Sequence, residues 1–387
     1  MIVIAGKNNI AVKALNFALE NFNDDLAVVI NENDFGEDGW QCSLKKHAIK
    51  NNVDVISLNE AYERADVFLS LEFDKIVSPE SFKKSNYFNV HFSKLPSYKG
   101  MYTSVWPLLN NEQETGVTLH KIDSGIDTGD IIAQKKIRIS DEDRARDLYI
   151  KYLKKGYEVF SENIEQLLRG EFSSEPQRPV NSSYFSKKSI DFSSLKIDLL
   201  KTAFEIKKQI YAFSFREYQL PLVYGRRIAE VEILEEKSRK RPGEILEENE
   251  RFIKISTIDF DVKLYIDKID KIGLFSDCKS FEVDDLLKGL CGAHDRNKYG
   301  WSPIIIAAYN GNFDALQKLL ERSADINDTN YKGTTVLMYA KDWSLRNKDN
   351  FLFKFLLENG ADTEIKDFSG KNIYDYINLE EAKFLGI

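Results

Sequence analysis

The first half of the chain alternates between short apolar runs and stretches in which apolar residues recur with helical spacing. The runs are nearly continuous in apolar side chains, and they read MIVIA (1–5), LAVVI (26–30), VDVISL (53–58), DVFLSL (66–71) and YFNVHF (87–92). Apolar strands separated by helices indicate βαβ units and a parallel sheet that is buried on both faces. Such a sheet binds its ligands beyond the carboxyl ends of its strands.

The pattern changes after this sheet. TGVTLHKIDSGIDTGDIIAQKKIRI (115–139) predicts a strand, a glycine-flanked loop and a second strand, and a long helix is predicted over about 143–168. The stretch GEFSSEPQRPVNSS (170–183) holds prolines and serines but few apolar residues, which is typical of a linker. It is interpreted as the segment that leaves the first domain.

The region that follows, about 184–272, mixes a helix near 199–213 with short strands such as RRIAEVEIL and RFIKIST. This mixture predicts a smaller α+β domain. Apolar residues alternate in RRIAEVEIL, and such a strand would leave an open edge in a monomer. We therefore expect a homodimer formed through this second domain.

The last hundred residues repeat. Gly300 and Gly333 lie 33 residues apart, which is the period of ankyrin repeats. The second copy carries an insertion near Ser344–Asn350, FSGKNIYDYI begins a truncated third copy, and a half-repeat precedes Gly292. An all-α ankyrin stack is predicted. The division expected for the whole chain is 1–182 (catalytic domain), 183–279 (second domain) and 280–387 (ankyrin repeats).

The composition of the chain limits the classes of protein to which it can belong. The chain has 387 residues, 43% of them hydrophobic, which is enough for two or three cores. A net charge of −8 without a long basic run argues against general nucleic-acid binding, although a local cationic pocket for one phosphorylated ligand stays open. The three scattered cysteines, Cys42, Cys278 and Cys291, match neither a disulfide framework nor zinc spacing. The opening apolar run is too short for a signal peptide or membrane span, so we expect a cytoplasmic protein.

The first predicted turn, AGKNNIAVKAL, has one glycine and lacks the G-x-G-x-x-G fingerprint. A nicotinamide dinucleotide is therefore not expected.

Candidate chemistry lies at the end of the fifth run. In a strand, residues i and i+2 share a face, so Asn89 and His91 project side by side. A second polar feature is the loop GIDTGD with Asp127 and Asp130. This loop could be a polar turn, half of an aspartic protease site, a metal site formed with Asp123, or a catalytic carboxylate facing the strand. The protease interpretation requires two such loops in an all-β setting, and the metal interpretation lacks a histidine at ligand spacing.

FNVHFSKLPSYKG followed by GVTLHKIDSGIDTGD resembles the 10-formyltetrahydrofolate-dependent formyltransferases, whose catalytic residues are an asparagine, a histidine and an aspartate. The matching positions are Asn89, His91 and Asp127. GKNNIAV, LSLEFDKIV, YTSVWPLLN and FREYQLPLV resemble the branch that formylates nucleotide-linked amino sugars. The resemblance covers about residues 1–230 and implies an α/β, Rossmann-like catalytic domain. Lys94 departs from it, because the family more often has leucine there.

The resemblance implies the substrates and their contacts. 10-Formyltetrahydrofolate would be the co-substrate, with no metal, and a dTDP-linked amino-deoxy sugar the acceptor. The candidate folate contacts are Leu69, Leu71, Glu72 and Asp130. The candidate nucleotide-sugar contacts are Lys75, Tyr102, Thr103, Ser104, Tyr184, Phe215, Tyr218 and Gln219. Lys75 has a surface role as its alternative, and the aromatic residues could instead pack within the second domain.

Formyl transfer requires these side-chain types. When an amine attacks the formyl carbon, negative charge develops on the formyl oxygen, and donors aimed at it stabilise the transition state. Asn89 offers an amide donor and a cationic His91 a second one. Histidine also suits the transfer of a proton from the amine to the departing folate nitrogen. Asp127 would orient or charge His91 and hold an ordered water.

Two other functions remain open. Formylation of methionyl-tRNA would require a basic face, which the acidic balance disfavours. An interaction protein with a degenerate enzyme domain is the second alternative, and the intact triad argues against it. The family setting is surface polysaccharide (O-antigen) assembly. The sequence does not choose between 3-amino and 4-amino sugars, among which dTDP-3-amino-3,6-dideoxy-glucose is the first expectation.

Trp301 occupies the variable position of the ankyrin turn, where the second copy has Thr334. The ring could pack against the neighbouring catalytic module, or it could stack on a nucleotide base at an accessory site. Otherwise, the repeats could bind a protein.

Overall fold

The computed structural model describes residues 1–387 except Ser85 and Cys291, so the expectation for the third cysteine lies outside the described residues. The chain divides into two compact units. One comprises Met1–Leu195 with Tyr211–Gln219, and the other comprises Lys196–Ile210 with Leu220–Ile387. The three-domain division stays a prediction.

The first unit is built on a seven-stranded sheet. Its strands are β1 (Ile2–Gly6), β2 (Leu26–Ile30), β3 (Asp54–Val55), β4 (Val67–Leu71), β5 (Tyr87–His91), β7 (Glu114–Lys121) and β8 (Ile131–Arg138), in the order β3-β2-β1-β4-β5-β7-β8. Its helices are α1 (Asn8–Asn21), α2 (Leu44–Lys50), α3 (Leu58–Arg64), α4 (Trp106–Leu109) and α5 (Ala145–Arg169). The pairs from β3 to β5 are parallel, and β7 and β8 are antiparallel. The α/β fold predicted for this part of the chain is confirmed.

The third apolar run forms a shorter strand than its length suggests. β3 has two residues, because Ser57 accepts a hydrogen bond from the Glu60 amide and the Glu60 carboxylate accepts one from the Ser57 amide. This reciprocal pair is a capping box, and it starts helix α3 at Leu58.

The stretch 170–183, interpreted as a linker, is bound to the rest of the first unit. Glu175 forms an isolated antiparallel bridge with Ile131, and Ser183 bonds to the backbone of Pro96 and Tyr98. The next two residues form β9 (Tyr184–Phe185), which pairs with β6 (Lys99–Gly100). The low apolar content reflects bonding through backbone and polar groups, so it does not mark a free connection here.

The second unit contains a five-stranded sheet. Its strands are β10 (Leu222–Val223), β11 (Arg226–Ile233), β12 (Ile245–Glu248), β13 (Phe252–Ile255) and β14 (Val262–Ile266), in the order β10-β11-β14-β13-β12, and helix α6 spans Ala203–Ala212. β10 pairs only with Arg226 and Arg227 of β11, and β14 pairs along the other side of β11. The expected open edge of RRIAEVEIL beyond these two residues therefore stays a prediction. The edge strands of this sheet are β10 and β12.

Six helices follow in the same unit: α7 (Ser280–Leu287), α8 (Pro303–Asn310), α9 (Phe313–Glu321), α10 (Val336–Asn347), α11 (Phe351–Glu358) and α12 (Leu379–Leu385). Their buried residues share one apolar cluster that runs from Ile272 to Leu385. The insertion expected in the second repeat lengthens α10 to 12 residues, against 8 in α8. Within the described residues, no helix combines the length and apolar character needed to cross a bilayer.

Candidate active site

The sheet places Asn89 and His91 at the carboxyl end of an interior strand. β5 lies between β4 and β7, and its register sets Asn89 between Ser70 and His120. Phe88 and Val90, which alternate with these two residues, are buried. The strand alternation therefore directs the polar pair to one face, as predicted.

Asp127 reaches these residues from the loop between β7 and β8. Its carboxylate oxygens lie 3.4 Å from His91 Nδ1 and 3.5 Å from His120 Nε2. One oxygen also accepts a hydrogen bond from the Gly100 amide, at 2.9 Å. Asp127 has φ +55°, and a Cβ on Gly129 would lie 1.9 Å from the Lys121 carbonyl oxygen. The glycine therefore lets the loop approach β7 closely.

The surroundings of Asp127 keep it ionised. Burial by itself would raise the pKa of this carboxyl, but His91, His120 and the Gly100 amide together hold the pKa well below its usual range. A carboxylate beside two imidazole rings can stabilise positive charge on either ring.

The hydrogen bonds of His91 define its orientation. Nε2 lies 2.9 Å from the Tyr98 carbonyl oxygen, which only accepts, so this nitrogen carries a proton. Nδ1 faces Asp127. A doubly protonated ring would thus have an oxygen partner at each N–H, and Nδ1 is the nitrogen on the side of Asp127.

His120 completes the group, although the sequence motifs did not single it out. Its Nδ1 lies 2.6 Å from the Lys121 carbonyl oxygen and so acts as the donor, which leaves Nε2 to accept from Asn89 Nδ2 at 3.1 Å. This bond fixes which end of the Asn89 amide faces His120. The available signal was alternation in GVTLHK, which places Thr118 and His120 on one face of β7.

Gln177 is a second residue beside the site that the sequence motifs did not single out. Its Nε2 donates to the carbonyl oxygens of Asp127 and Gly129, both at 2.8 Å. One side-chain amide therefore ties down both sides of the left-handed turn. Its position in an apparent linker concealed this role.

The predicted folate contacts fall into two groups. Leu69 and Leu71 are buried in β4. Glu72 follows them with φ +59°, and its carboxylate accepts from Tyr149 Oη at 2.8 Å and Asn8 Nδ2 at 3.1 Å. Burial raises the pKa of Glu72 despite these bonds. Asp130 lies at the end of the loop between β7 and β8, where it accepts from Ser174 Oγ at 3.2 Å.

The aromatic residues predicted to contact the base form part of a cluster. Phe215 is buried, and its ring lies 5.4 Å from Trp40, 5.5 Å from Tyr149 and 4.7 Å from Tyr218, centroid to centroid. Tyr218 is 62% exposed. Because Tyr149 also bonds Glu72, the cluster adjoins the end of β4. No sequence pattern selects Trp40, which comes from a separate loop.

The remaining predicted contacts are dispersed. Lys75 Nζ pairs with Glu32 at 3.0 Å. Tyr102 Oη donates to the Lys187 carbonyl, the Thr103 carbonyl accepts from Tyr152, and Ser104 is partly buried.

Gln219 Nε2 lies 3.4 Å from the Phe213 carbonyl oxygen, and Tyr184 is exposed on β9. Lys94, the departure from the family pattern, pairs with Glu114 at 2.6 Å. The binding roles of all these residues stay predictions.

Trp301 packs within the ankyrin repeats. Its ring centroid lies 5.1 Å from Tyr309 and 5.0 Å from Tyr339. The ring is partly exposed. Part of its surface is thus available to a ligand, and the accessory site stays a prediction.

The three aspartates considered for a metal have other partners. Asp123 accepts from Thr128 and Gly125, while Asp127 faces the histidines. Among the described residues, a group with suitable ligand atoms is found instead at Asp38, Cys42 and His47. Its Asp38 carboxylate is already bonded to Lys46 and the Ser43 amide, and burial raises the pKa of Cys42 to about 12.

Two family models match parts of this chain. Residues 23–164 match the family "Formyl transferase", and residues 277–367 match "Ankyrin repeats (3 copies)". The crystal structure of an N-formyltransferase from Helicobacter canadensis, in complex with folinic acid and dTDP-3-aminofucose, is 47% identical. The match covers 68% of this chain and 98% of that one, with a TM-score of 0.64.

Two further relatives differ in their sequence identity to this chain. WlaRD, a sugar 3N-formyl transferase crystallised with dTDP and 5-N-formyl-THF, is 46% identical over 68% of this chain and 97% of its own, with a TM-score of 0.64. A methionyl-tRNA formyltransferase from Clostridioides difficile is 29% identical over 67% of this chain and 88% of its own length. Similarity to the sugar enzymes is therefore considerably higher.

Proposed function

We propose that this chain, which belongs to the formyl transferase family, transfers the formyl group of 10-formyltetrahydrofolate to the amino group of a dTDP-linked amino-deoxy sugar. The observation that carries the chemistry is the hydrogen-bonded group of Asn89, His91, His120 and Asp127 at the carboxyl end of β5. The relatives bound to folinic acid, formyl-THF, dTDP-3-aminofucose or dTDP support the two substrates.

In the proposed reaction the amine nitrogen attacks the formyl carbon, and the bond from that carbon to N10 of the folate breaks. One proton leaves the amine and one reaches N10, so the products are a formamido sugar and tetrahydrofolate. Asn89 Nδ2 makes its longer contact, 3.3 Å, to Asp127 Oδ1. A formyl oxygen that displaces this contact would gain the amide as an oxyanion donor.

His91 and Asp127 would carry the proton. The Tyr98 carbonyl holds one ring nitrogen of His91, and the other lies 3.4 Å from Asp127. That separation is long for a direct bond, and catalytic hydrogen bonds often shorten once substrates bind. The pair is therefore suited to take the amine proton and return it to the leaving nitrogen.

A 3-amino-3,6-dideoxy sugar is the preferred acceptor. Both relatives with 46–47% identity have 3-amino chemistry in their descriptions. Trp40 and Tyr218, the exposed side of the aromatic cluster, offer stacking surfaces for a thymine base. Lys75, the predicted phosphate contact, would exchange its ion pair with Glu32 for the diphosphate. As the family resemblance implies, the formamido sugar would be used in surface polysaccharide (O-antigen) assembly. The enzyme itself would act in the cytoplasm.

Substitution of the triad tests the proposal. We expect His91→Asn and Asp127→Asn each to lower kcat by about 10²- to 10⁴-fold, the usual contribution of a general acid–base group. Binding of dTDP, measured by calorimetry, should change little, because neither residue is assigned to the nucleotide. Near-normal turnover in either variant would contradict the assigned roles.

A substrate panel tests the acceptor. The purified protein would be assayed with dTDP-3-amino, dTDP-4-amino and UDP-linked amino sugars and with methionyl-tRNA, using 10-formyltetrahydrofolate. We expect the highest kcat/KM with a dTDP-3-amino sugar. Faster transfer to methionyl-tRNA would favour the translational enzyme instead, and no transfer to any acceptor would favour an ankyrin interaction protein.

A further inference from the structure

Three side chains with different metal-binding atoms meet where the loop after β2 joins helix α2. Asp38 and Cys42 come from the loop, and His47 lies in α2. A carboxylate oxygen, the thiol sulfur and a ring nitrogen all lie within 4.8 Å of one another. These three groups take no part in the proposed reaction.

His47 lacks the hydrogen bonds that a buried imidazole normally has. The residue is 8% exposed. Within the part of the chain that the structure describes, its ring makes no hydrogen bond, and Nε2 faces Asp38 Oδ1 at 3.9 Å. That separation is too long for a hydrogen bond, and it suits two atoms that share a cation.

The hydrogen bonds of Asp38 leave one of its oxygens able to bind an ion. Oδ2 accepts from Lys46 Nζ at 2.5 Å, whereas Oδ1 accepts from the Ser43 amide at 2.9 Å. Oδ1, which also faces His47, therefore keeps a lone pair for a cation. The Ser43 amide would orient this ligand, as hydrogen bonds to coordinating carboxylates commonly do.

The spacing of the three groups suits a tetrahedral zinc ion. Zinc binds thiolate sulfur at about 2.3 Å and imidazole nitrogen or carboxylate oxygen at about 2.0–2.2 Å, so neighbouring ligand atoms lie about 3.3–3.7 Å apart. Separations of up to 4.8 Å exceed this by about 1 Å, which rotation of the Cys42 or His47 side chain can supply. A thiolate and an imidazole also favour zinc over magnesium and calcium, which prefer oxygen ligands.

The Cys42 thiol must lose its proton to act as a ligand. Burial raises its pKa to about 12, so the thiol holds its proton in the metal-free chain. A bound zinc ion deprotonates a coordinating thiol, and the proton leaves to solvent. The S–Zn bond thus forms as the S–H bond breaks, and nothing is oxidised or reduced.

We propose that Asp38, Cys42 and His47 bind one Zn²⁺, with a water as the fourth ligand. The ion is structural and takes no part in formyl transfer. Trp40 lies between two of the ligands in the sequence, and its ring centroid is 5.4 Å from that of Phe215. By joining the loop to α2, the ion fixes the Trp40 side of the aromatic cluster.

The test is a calorimetric titration of the full, chelator-treated chain with Zn²⁺. We expect one ion to bind per chain, and an excess of Mg²⁺ should not displace it. Cys42→Ser should weaken binding by about 100-fold or more, because loss of a group that only orients a ligand already costs about 10- to 100-fold. Cys278→Ser is the matched control and should keep the full affinity. Cys278 lies outside the group and is buried to the same degree, 7% exposed against 6%.

Spectroscopy supplies a readout that does not depend on a folded variant. Co²⁺ in place of Zn²⁺ should give the unmodified chain a thiolate-to-metal charge-transfer band. Zinc should also change the tryptophan fluorescence of the unmodified chain but not that of Trp40→Phe. No binding at one ion per chain, displacement by Mg²⁺, or absence of the cobalt band would overturn the zinc site. A fluorescence change that persists in Trp40→Phe would overturn the link to the loop. The titrations contain no folate or sugar, so they do not bear on the proposed function.

Discussion

At the scale of single residues, the site depends on a histidine that supports the triad. His120 accepts a hydrogen bond from the Asn89 amide and faces Asp127, so it sets the direction in which the amide donates. We therefore predict a positioning role, because His120 bonds the Asn89 amide that is proposed to donate to the formyl oxygen. Enzymes gain from donors that are aligned before the charge develops.

Replacement of His120 should affect turnover more than binding. We expect His120→Asn to lower kcat by about 10- to 100-fold, less than the 10²–10³ lost when an oxyanion donor itself is removed, with little change in KM. The measurement is steady-state kinetics over a range of pH. His294→Asn, at an exposed histidine of the second unit, is the control; a similar loss in both variants would contradict the positioning role.

The raised pKa of Glu72 predicts that the stability of the fold depends on pH. Burial raises its pKa in the folded protein, so the unfolded chain loses this proton at a lower pH than the folded chain does. Stability from this group is therefore present below its ordinary pKa, near 4.5, and is lost as the pH rises through the raised value. A difference of one between the folded and unfolded pKa corresponds to about 1.4 kcal/mol.

The Glu72→Gln variant should not lose this stability as the pH rises, because glutamine does not ionise. The measurement is urea unfolding at pH 4 and pH 8. The free energy of unfolding of the variant minus that of the unmodified chain should be larger at pH 8 than at pH 4. Glu60→Gln supplies a control of opposite sign, because hydrogen bonds from Ser57 lower the pKa of Glu60. A Glu72 variant that loses stability on going from pH 4 to pH 8, relative to the unmodified chain, would rule out the raised pKa.

At the scale of elements, the apolar runs of the first half predicted the strands of the parallel sheet well. The segments around the candidate site were harder to predict, because hydrogen bonds and ring contacts between residues far apart in the sequence hold them in place. Gln177 reaches the catalytic loop from an apparent linker, and Trp40 joins Phe215 from a loop without periodicity. Asn89 and His91 could be predicted because strand alternation is local. Their partner His120 required the register between β5 and β7.

The first ankyrin repeat carries its own prediction. Trp301, Tyr309 and Tyr339 form a three-ring group in which the tryptophan is partly exposed. If a nucleotide base stacks on Trp301 and thereby favours one conformation of the enzyme, Trp301→Ala should change the shape of the substrate saturation curve while leaving the triad chemistry intact. Tyr299→Ala, at an exposed ring two residues away, is the matched control. Unchanged kinetics with lower thermal stability would make Trp301 a packing residue.

At the scale of the whole molecule, the second unit exposes an apolar patch that favours self-association. Leu200, Phe204, Tyr224, Ile258 and Phe260 are large apolar residues with 37% to 66% of their surface exposed. Several observations place them near one another, and a Cβ on Gly243 would lie 3.8 Å from Tyr224 Oη and 4.0 Å from Leu200 Cδ2. The Phe204 and Phe260 rings lie 6.4 Å apart, and the Ile258 amide donates to the Lys201 carbonyl beside Leu200.

An exposed patch of this kind on a monomer is typical of an interface. The second domain was expected to form a homodimer through an open strand edge. The edge strand β12 ends in Glu247 and Glu248, and charges at an edge disfavour strand pairing. The apolar patch is therefore the better basis for the predicted dimer, which would bury side chains rather than extend the sheet.

Sedimentation equilibrium at micromolar concentration tests the dimer. We expect the unmodified chain to sediment as a dimer and Phe204→Asp to sediment as a monomer, because an unpaired carboxylate at the centre of an apolar interface carries a large desolvation cost. Phe281→Asp, at an 81% exposed phenylalanine on α7, controls for the added charge and should remain dimeric. A monomeric unmodified chain would exclude the dimer, and a dimeric Phe204→Asp would place its interface elsewhere.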